Sequence, residues 1–318
     1  MDHPLPTRRR TLLARAPLVV YVAAVGVLVA RLHRVPASRE LLILLVVGGI
    51  VAASATSLRR LRRAAAGFML DWLPFAGMLS LYDLIRGYAD GLWLPAHARP
   101  QIEADRILGA GSIPTVWLQR RLWHGPAHIR WYDYLAWTTY LSYFFVPTLA
   151  LAALWWRSRQ AFRRLATMVV LLAFTGCTTY VLYPAVPPWL AGQEGLIPPV
   201  HHLFSAISGH MPWISFQPLW KKGTNYANLV AAIPSLHAGF TLLVTLFVRA
   251  RLRSRARELL WLWPLAMAFA LVYSGEHYVT DVLIGWFYAF AVYRLVEQWH
   301  GGPAAAGGEI STRDPTVG

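Results

Sequence analysis

Apolar positions in this chain run in long, nearly unbroken stretches, where a soluble helix would show a stripe and a half-buried strand an alternation. Windows of about 17 to 25 such residues, the length that crosses a bilayer as a helix, predict eight spans. They fall near 16–33, 41–58, 67–85, 131–156, 165–186, 233–249, 259–276 and 278–297. The polar positions between them are rich in arginine: 8–15, RRLRR at 59–63, RSRQAFRR at 157–164 and RARLRSRAR at 249–257. In an eight-span alternation all four clusters fall on one side, and the basic excess of cytoplasmic loops makes that side the cytoplasm. The expected architecture is all-α: a polytopic membrane helical bundle of about eight transmembrane helices. Its six-helix core would occupy 67–299, after a two-span extension in 1–66 and before a disordered tail in 300–318, with both termini cytoplasmic.

Composition agrees with this pattern. With 56% hydrophobic residues, 14% charged residues and a mean hydropathy of +0.41 over 318 residues, a soluble globule is excluded. The first span follows Arg8, Arg9, Arg10 and Arg15, as a signal peptide would, but Arg31, His33 and Arg34 stand where small cleavage-site residues belong. It reads as a retained anchor. The net charge of +15 is explained by the topological clusters; without aromatic interleaving or a binding module it marks lipid headgroup contact, not a nucleic-acid groove. The single Cys177 lies inside the fifth span and reads as a buried apolar residue. The 15 tryptophans fit interfacial belts.

Two segments carry chemistry. In IPSLHAGF (Ile233 to Phe240), Pro234 suits a first helical turn and Ser235 an N-cap, which sets His237 beside backbone N–H groups that favour an anion. In SGEHYVTDVLIGW (Ser274 to Trp286), His277 and Asp281 are expected on one helical face. There the carboxylate accepts the Nδ1 proton and turns Nε2 outward as nucleophile or base. Both histidines fall at span mouths on the predicted extracytoplasmic side, where YPAVPPW (Tyr183 to Trp189) also emerges. Taken singly, PS marks only a helix start and HxxxD a local hydrogen bond; the coincidence of both on one side points to phosphoryl transfer. Two long extracytoplasmic segments flank them. The first, 86–130, contains IPTVWLQRRLW (Ile113 to Trp123), read as a helix lying in the interface. The second, 187–232, holds His201, His202, His210, Lys221 and Lys222 and suits either a cover over the site or headgroup contact.

PSLH and HYxxD together resemble the signatures of the type 2 phosphatidic acid phosphatase superfamily. The similarity is strongest to the branch that contains the inositol phosphorylceramide synthases, and YPAVPPW and NLVAAIPSLH (Asn228 to His237) strengthen it. It covers roughly 68–297, with three short specific segments. The resemblance implies an integral membrane lipid phosphatase or phosphotransferase working through a phosphohistidine. Its 67–299 core would be the catalytic domain, with His277 the nucleophile, Asp281 its orienting partner and His237 the general acid. The substrate would be a lipid phosphate or phospholipid, and no metal or other cofactor is expected.

One family motif, KxxxxxxRP, is absent: no lysine or arginine occurs between Arg164 and Lys221. Substrate binding is therefore assigned to Ser235 and to Lys221 and Lys222, which lie close before Pro234; Arg86, Arg106 and Arg130 are further candidates from the first long segment. A metal site built from His237, His277 and Asp281 with His201, His202 or Glu276 is disfavoured, because the HExxH or HxxxH spacing of helical metalloenzymes is missing. A transporter would place ionisable groups at the midplane, whereas Asp71 and Asp83 lie near the ends of the third span. A noncatalytic scaffold that keeps the fold is the remaining rival. The same three residues serve water or a lipid hydroxyl as acceptor, and the resemblance favours the transferase branch.

Overall fold

The computed structural model describes residues 7–32, 39–54, 58–88, 94–210 and 229–301. Lys221, Lys222 and nearly all of the 300–318 tail lie outside them. The chain runs through α1 (Thr7–Leu32), α2 (Arg39–Ser54) and α3 (Leu58–Gly67), then a π-helical turn at Phe68–Trp72 that leads into α4 (Leu73–Tyr88). Two short helices, α5 (Arg99–Leu108) and α6 (Pro114–Leu122), precede the long α7 (Trp131–Arg157) and α8 (Arg159–Leu182). Then come α9 (Pro188–Gln193), α10 (Leu203–Ser208), α11 (Leu236–Arg251), α12 (Leu262–Tyr273) and α13 (Val279–Trp299). Among the described residues there is no strand, only isolated bridges joining His97 to Ala185 and Ala185 to Ala231.

Five helical segments among the described residues are long and apolar enough to cross a membrane: Ala65–Arg86, Trp131–Arg157, Arg159–Leu182, Arg255–Tyr273 and Val279–Trp299. They make this a multi-pass membrane protein and correspond to five of the eight expected spans. The other three are not confirmed as spans among the described residues. The first two contribute apolar helical stretches of only Ala16–Val27 and Leu45–Ser54, and α11 has 16 residues. The fifth span begins at Arg159 rather than near 165, because Arg159 and Arg163 are held by a carboxylate inside the bundle. Asp71, buried in the π-helical turn, accepts from Arg163 Nε at 2.8 Å and Trp155 Nε1 at 3.0 Å, and also pairs with Arg159.

Large apolar side chains face outward along the bundle, among them Leu262, Leu265 and Phe269 on α12 and Phe287, Phe290 and Leu295 on α13. A water-soluble protein does not expose apolar surface on this scale; here it meets hydrocarbon. Inside, Trp72, Phe162, Leu165, Leu172, Leu243 and Phe247 are fully buried. Lipid tails are as apolar as leucine, so helices associate through close packing at small residues instead of through the hydrophobic effect. The tightest such contact joins α11 to α13. A Cβ placed on Gly285 would stand 2.2 Å from the backbone oxygen of Ser235, and one on Gly239 would stand 3.1 Å from the Gly285 oxygen. The Ser235 N–H donates to the Asp281 carbonyl at 3.0 Å, so the helices are joined backbone to backbone.

No rotamer relieves a methyl group set against a main-chain oxygen. Gly285→Ala is expected to push α11 from α13 and destabilise the protein by about 1–3 kcal/mol, the cost typical of overpacking. The thermal unfolding midpoint in detergent reads this; an unchanged midpoint would show that the contact is slack.

Candidate active site

Ser235 begins α11 as predicted: it is the N-cap, and its Oγ accepts from Ala238 N at 3.4 Å. Pro234 lies before the cap and not in the first turn, and its carbonyl accepts from Tyr180 Oη at 2.8 Å. His237 thus stands at the second helical position, where the first-turn N–H groups have no intrahelical acceptor. Its ring lies 4.9 Å from that of Tyr140 and 4.2 Å from that of Tyr143, centroid to centroid.

The second segment departs from expectation in an informative way. Since α13 begins at Val279, His277 precedes the helix, and the His277 to Asp281 pair is not a pair on one helical face. Asp281 instead reaches back from the third helical position to accept from Tyr278 N at 2.9 Å, a cap that also sets its Oδ2 3.4 Å from His277 Nδ1. That separation is within ion-pair reach and long for a hydrogen bond. Asp281 is fully enclosed and His277 nearly so. The turn between α12 and α13 is fixed by Gly275, at φ 84, a left-handed conformation that glycine adopts freely. The amides of Glu276 and His277 both donate to the Leu271 carbonyl, at 3.1 and 3.2 Å.

Backbone pairing of the two motifs brings the imidazoles of His237 and His277 to 6.0 Å between ring centroids, close enough for one oxyanion to meet both. With Nδ1 turned to Asp281, the Nε2 edge of His277 is the one left for chemistry. The YPAVPPW segment is held beside them: Ala185 N donates to the Val230 carbonyl at 2.6 Å, and Trp189 N to the Gly275 carbonyl at 3.0 Å. Each histidine sits at the end of its helix away from the arginine-rich turns; α11 runs from His237 in its first turn to Arg249 and Arg251 in its last.

Several supporting contacts were not legible in the sequence. Asp105 on α5, fully buried, accepts from Val279 N at 3.0 Å and from Thr280 N and Oγ1 at 2.9 and 2.7 Å, and so caps α13 from another part of the chain. Burial raises its carboxyl above the ordinary value even against those bonds. Gln119, on the helix expected to lie in the interface, donates to the carbonyls of His201 and Tyr273, both at 2.9 Å, and accepts from His201 N. That helix buries Thr115, Val116 and Gln119 and leaves Arg120 and Arg121 exposed, so its inner face clasps the site and is not purely apolar. His202 pairs with Glu276 at 2.5 Å and stacks on Trp189. Burial alone lowers the His202 imidazole, but the charge and hydrogen bond of Glu276 outweigh it, and the net shift is upward. Among the described residues, no three His, Cys, Asp or Glu side chains gather in a way that would hold a metal ion.

The fold and the candidate site together define a polytopic membrane protein with an imidazole pair and an enclosed carboxylate at one end of its spans. The sequence matches the model of the PAP2 superfamily over residues 114–295, more than half of the chain. The protein belongs to that superfamily, a family of membrane lipid phosphatases and phosphotransferases. It is also 30% identical over 165 residues to the phosphoinositol dihydroceramide synthase of Bacteroides thetaiotaomicron, a match covering 48% of this chain and 52% of that relative. The chain thus spans about half the length of the curated relative it matches. No solved structure matches it.

Two outcomes follow from the supporting contacts. Asp105→Ala removes the cap of α13 and is expected to cost about 0.5–2 kcal/mol, read as a lower thermal midpoint than wild type; an equal midpoint would show that α13 needs no cap in trans. Because the folded-state value of His202 is raised, its stabilisation is fully present below about pH 6.5, the ordinary histidine value, and is lost as pH rises through the raised one. The midpoint difference between wild type and His202→Gln is therefore expected to shrink from acid to alkaline pH; a constant difference would contradict the charged pairing.

Proposed function

We propose that this protein is a lipid phosphotransferase that works through a phosphohistidine at the extracytoplasmic face of the plasma membrane. The carrying observation is the meeting of His237, at the start of α11, and His277, in the turn before α13, at 6.0 Å with Asp281 enclosed beside His277. In the first step Nε2 of His277 attacks phosphorus, the bond from phosphorus to the leaving lipid oxygen breaks, and His237 gives that oxygen a proton. In the second, the acceptor hydroxyl returns a proton to His237, its oxygen attacks phosphorus, and the phosphorus–nitrogen bond breaks to restore His277. Splitting one displacement into two lowers each barrier, and an imidazole exchanges protons readily near neutral pH. Asp281 holds the ring and offsets the positive charge that forms on it. Ser235 serves the phosphate by capping α11 and aiming its first-turn amides at the anion. Lys221 and Lys222 remain candidates for the same headgroup.

Location argues for a lipid: a site at the mouth of the spans admits a headgroup while the tails stay in hydrocarbon. The arginine-rich turns at the opposite end of α11 support the extracytoplasmic assignment through the positive-inside rule. The relative's activity, as its name gives it, supports a lipid hydroxyl as acceptor and an inositol phosphate as the group moved.

Purified protein in detergent, given labelled phosphatidylinositol or phosphatidic acid with and without dihydroceramide, is expected to form a new phospholipid from phosphatidylinositol and to keep its turnover in excess chelator. Free phosphate as the sole product would favour a phosphatase. His277→Ala is expected to lower turnover by at least about 10³-fold, and His237→Ala by about 10²–10⁴-fold, with the thermal midpoint retained. Turnover by His277→Ala close to wild type would overturn the covalent mechanism and leave a scaffold as the better reading.

A further inference from the structure

The two imidazoles are held by different means. His277 has the Asp281 carboxylate beside it, whereas among the described residues no acidic side chain lies within ion-pair reach of His237; Glu276 is engaged by His202. The surroundings of His237 are aromatic instead. Tyr140, Tyr143 and Phe144 stand at i, i+3 and i+4 on α7, the spacing that puts side chains on one helical face. All three meet the His237 ring, at centroid distances of 4.9, 4.2 and 6.3 Å. Tyr140 is the one closest to parallel, at 28°. It is packed in turn against Phe204 of α10, at 4.3 Å, and both rings are buried. A run of three rings therefore passes from α10 through α7 to the first turn of α11.

In the proposed cycle His237 must carry a proton when the leaving oxygen departs. That proton sets positive charge 6.0 Å from a second imidazole. The titratable groups that face His237 are Tyr140 and Tyr143 on α7, His277 in the turn before α13 and, through its charge, Arg86 on α4. None of these side chains is ordinarily an anion near neutral pH. An aromatic face offers the compensation that a carboxylate would give elsewhere, because its quadrupole is negative there. A cation within about 6 Å of the ring centroid is attracted to it, most strongly where water is excluded. Packed rings also fix direction, since the imidazole cannot swing without losing those contacts.

We propose that Tyr140, with Tyr143 beside it, is a positioning residue for the general acid: its ring face aims the His237 imidazole and stabilises the protonated form. This deepens the phosphotransferase reading and rests on it, through the role given to His237. Both tyrosines lie outside the PSLH and HYVTD segments, in a span whose apolar pattern marks only a membrane helix.

The test follows kcat and KM against pH, with the thermal midpoint, in the full-length protein in detergent. A general acid works while protonated, so turnover falls as pH rises through its titration. Tyr140→Leu keeps apolar bulk and removes the ring face. It is expected to lower kcat by up to about 10²-fold, as a misplaced catalytic group does, with KM little changed. The alkaline limb of kcat is expected to move down by about 0.4–1.5 pH units, the range that a cation–π contact spans. Tyr140→Phe, which keeps the ring, is expected to recover most of both losses. Pentafluorophenylalanine in place of Tyr140 keeps the ring's shape and reverses its quadrupole. It is expected to move the limb as Tyr140→Leu does with the midpoint retained, which carries the test even where Tyr140→Leu does not fold. A limb for the fluorinated ring that coincides with that of Tyr140→Phe would reduce Tyr140 to packing and overturn the assignment. Impairment of Tyr140→Phe equal to that of Tyr140→Leu would shift the role from ring to hydroxyl and overturn it as well. Titration of the His237 imidazole, followed by nuclear magnetic resonance in isotope-labelled His277→Ala, reads the same contact without turnover and is expected to move down in the same order. A wild type that turns over no phospholipid, with that titration still displaced by Tyr140→Leu, would overturn the phosphotransferase reading and leave the ring contact standing.

Discussion

One backbone hydrogen bond, from Ser235 N to the Asp281 carbonyl, ties together everything that gives this protein a site. It joins the start of one membrane helix to the start of another, and it forms only because Gly285, one turn further along α13, has no side chain to collide with the Ser235 carbonyl. In hydrocarbon no hydrophobic force would pull these helices so close; the approach depends on small residues and on polar main-chain groups that must find partners out of reach of water. Because both ends of this bond belong to chemically loaded segments, the contact that builds the bundle also sets the two imidazoles against each other.

Polar groups in the bundle divide by whether the fold satisfies them. Asp71 is matched by arginines and an indole, and Asp105 by two amides and a hydroxyl; these groups serve the framework. Asp281 is matched on one oxygen only: its Oδ2 accepts from the Tyr278 amide and lies 3.4 Å from His277 Nδ1. In a low-dielectric interior an unmet polar group is costly, and the contrast between Asp71 and Asp281 separates the framework from the candidate site.

Much of the site was legible before any coordinates. PSLH and HYVTD were read as segments that meet on one side, and the arginine clusters placed them opposite the basic turns; the structure brings His237, His277 and Asp281 together at one end of the spans. The detail of how they meet was not legible. Four-residue spacing suggests a shared helical face, yet α13 begins only at Val279, so Asp281 reaches His277 through its capping position instead. Asp105 and Gln119 sit in segments whose local pattern says only amphipathic helix or polar turn. Their partners lie far along the chain, and no periodicity records such contacts.

The sequence alone determined the class of environment, the helical architecture and the identity of the reactive groups, because hydropathy and short-range spacing act along the chain and need no knowledge of the partner. Which helices touch and which carboxylate caps α13 were decided by tertiary structure. Those outcomes depend on distances of a few ångströms between residues far apart in the chain, set by where a glycine lets two backbones approach.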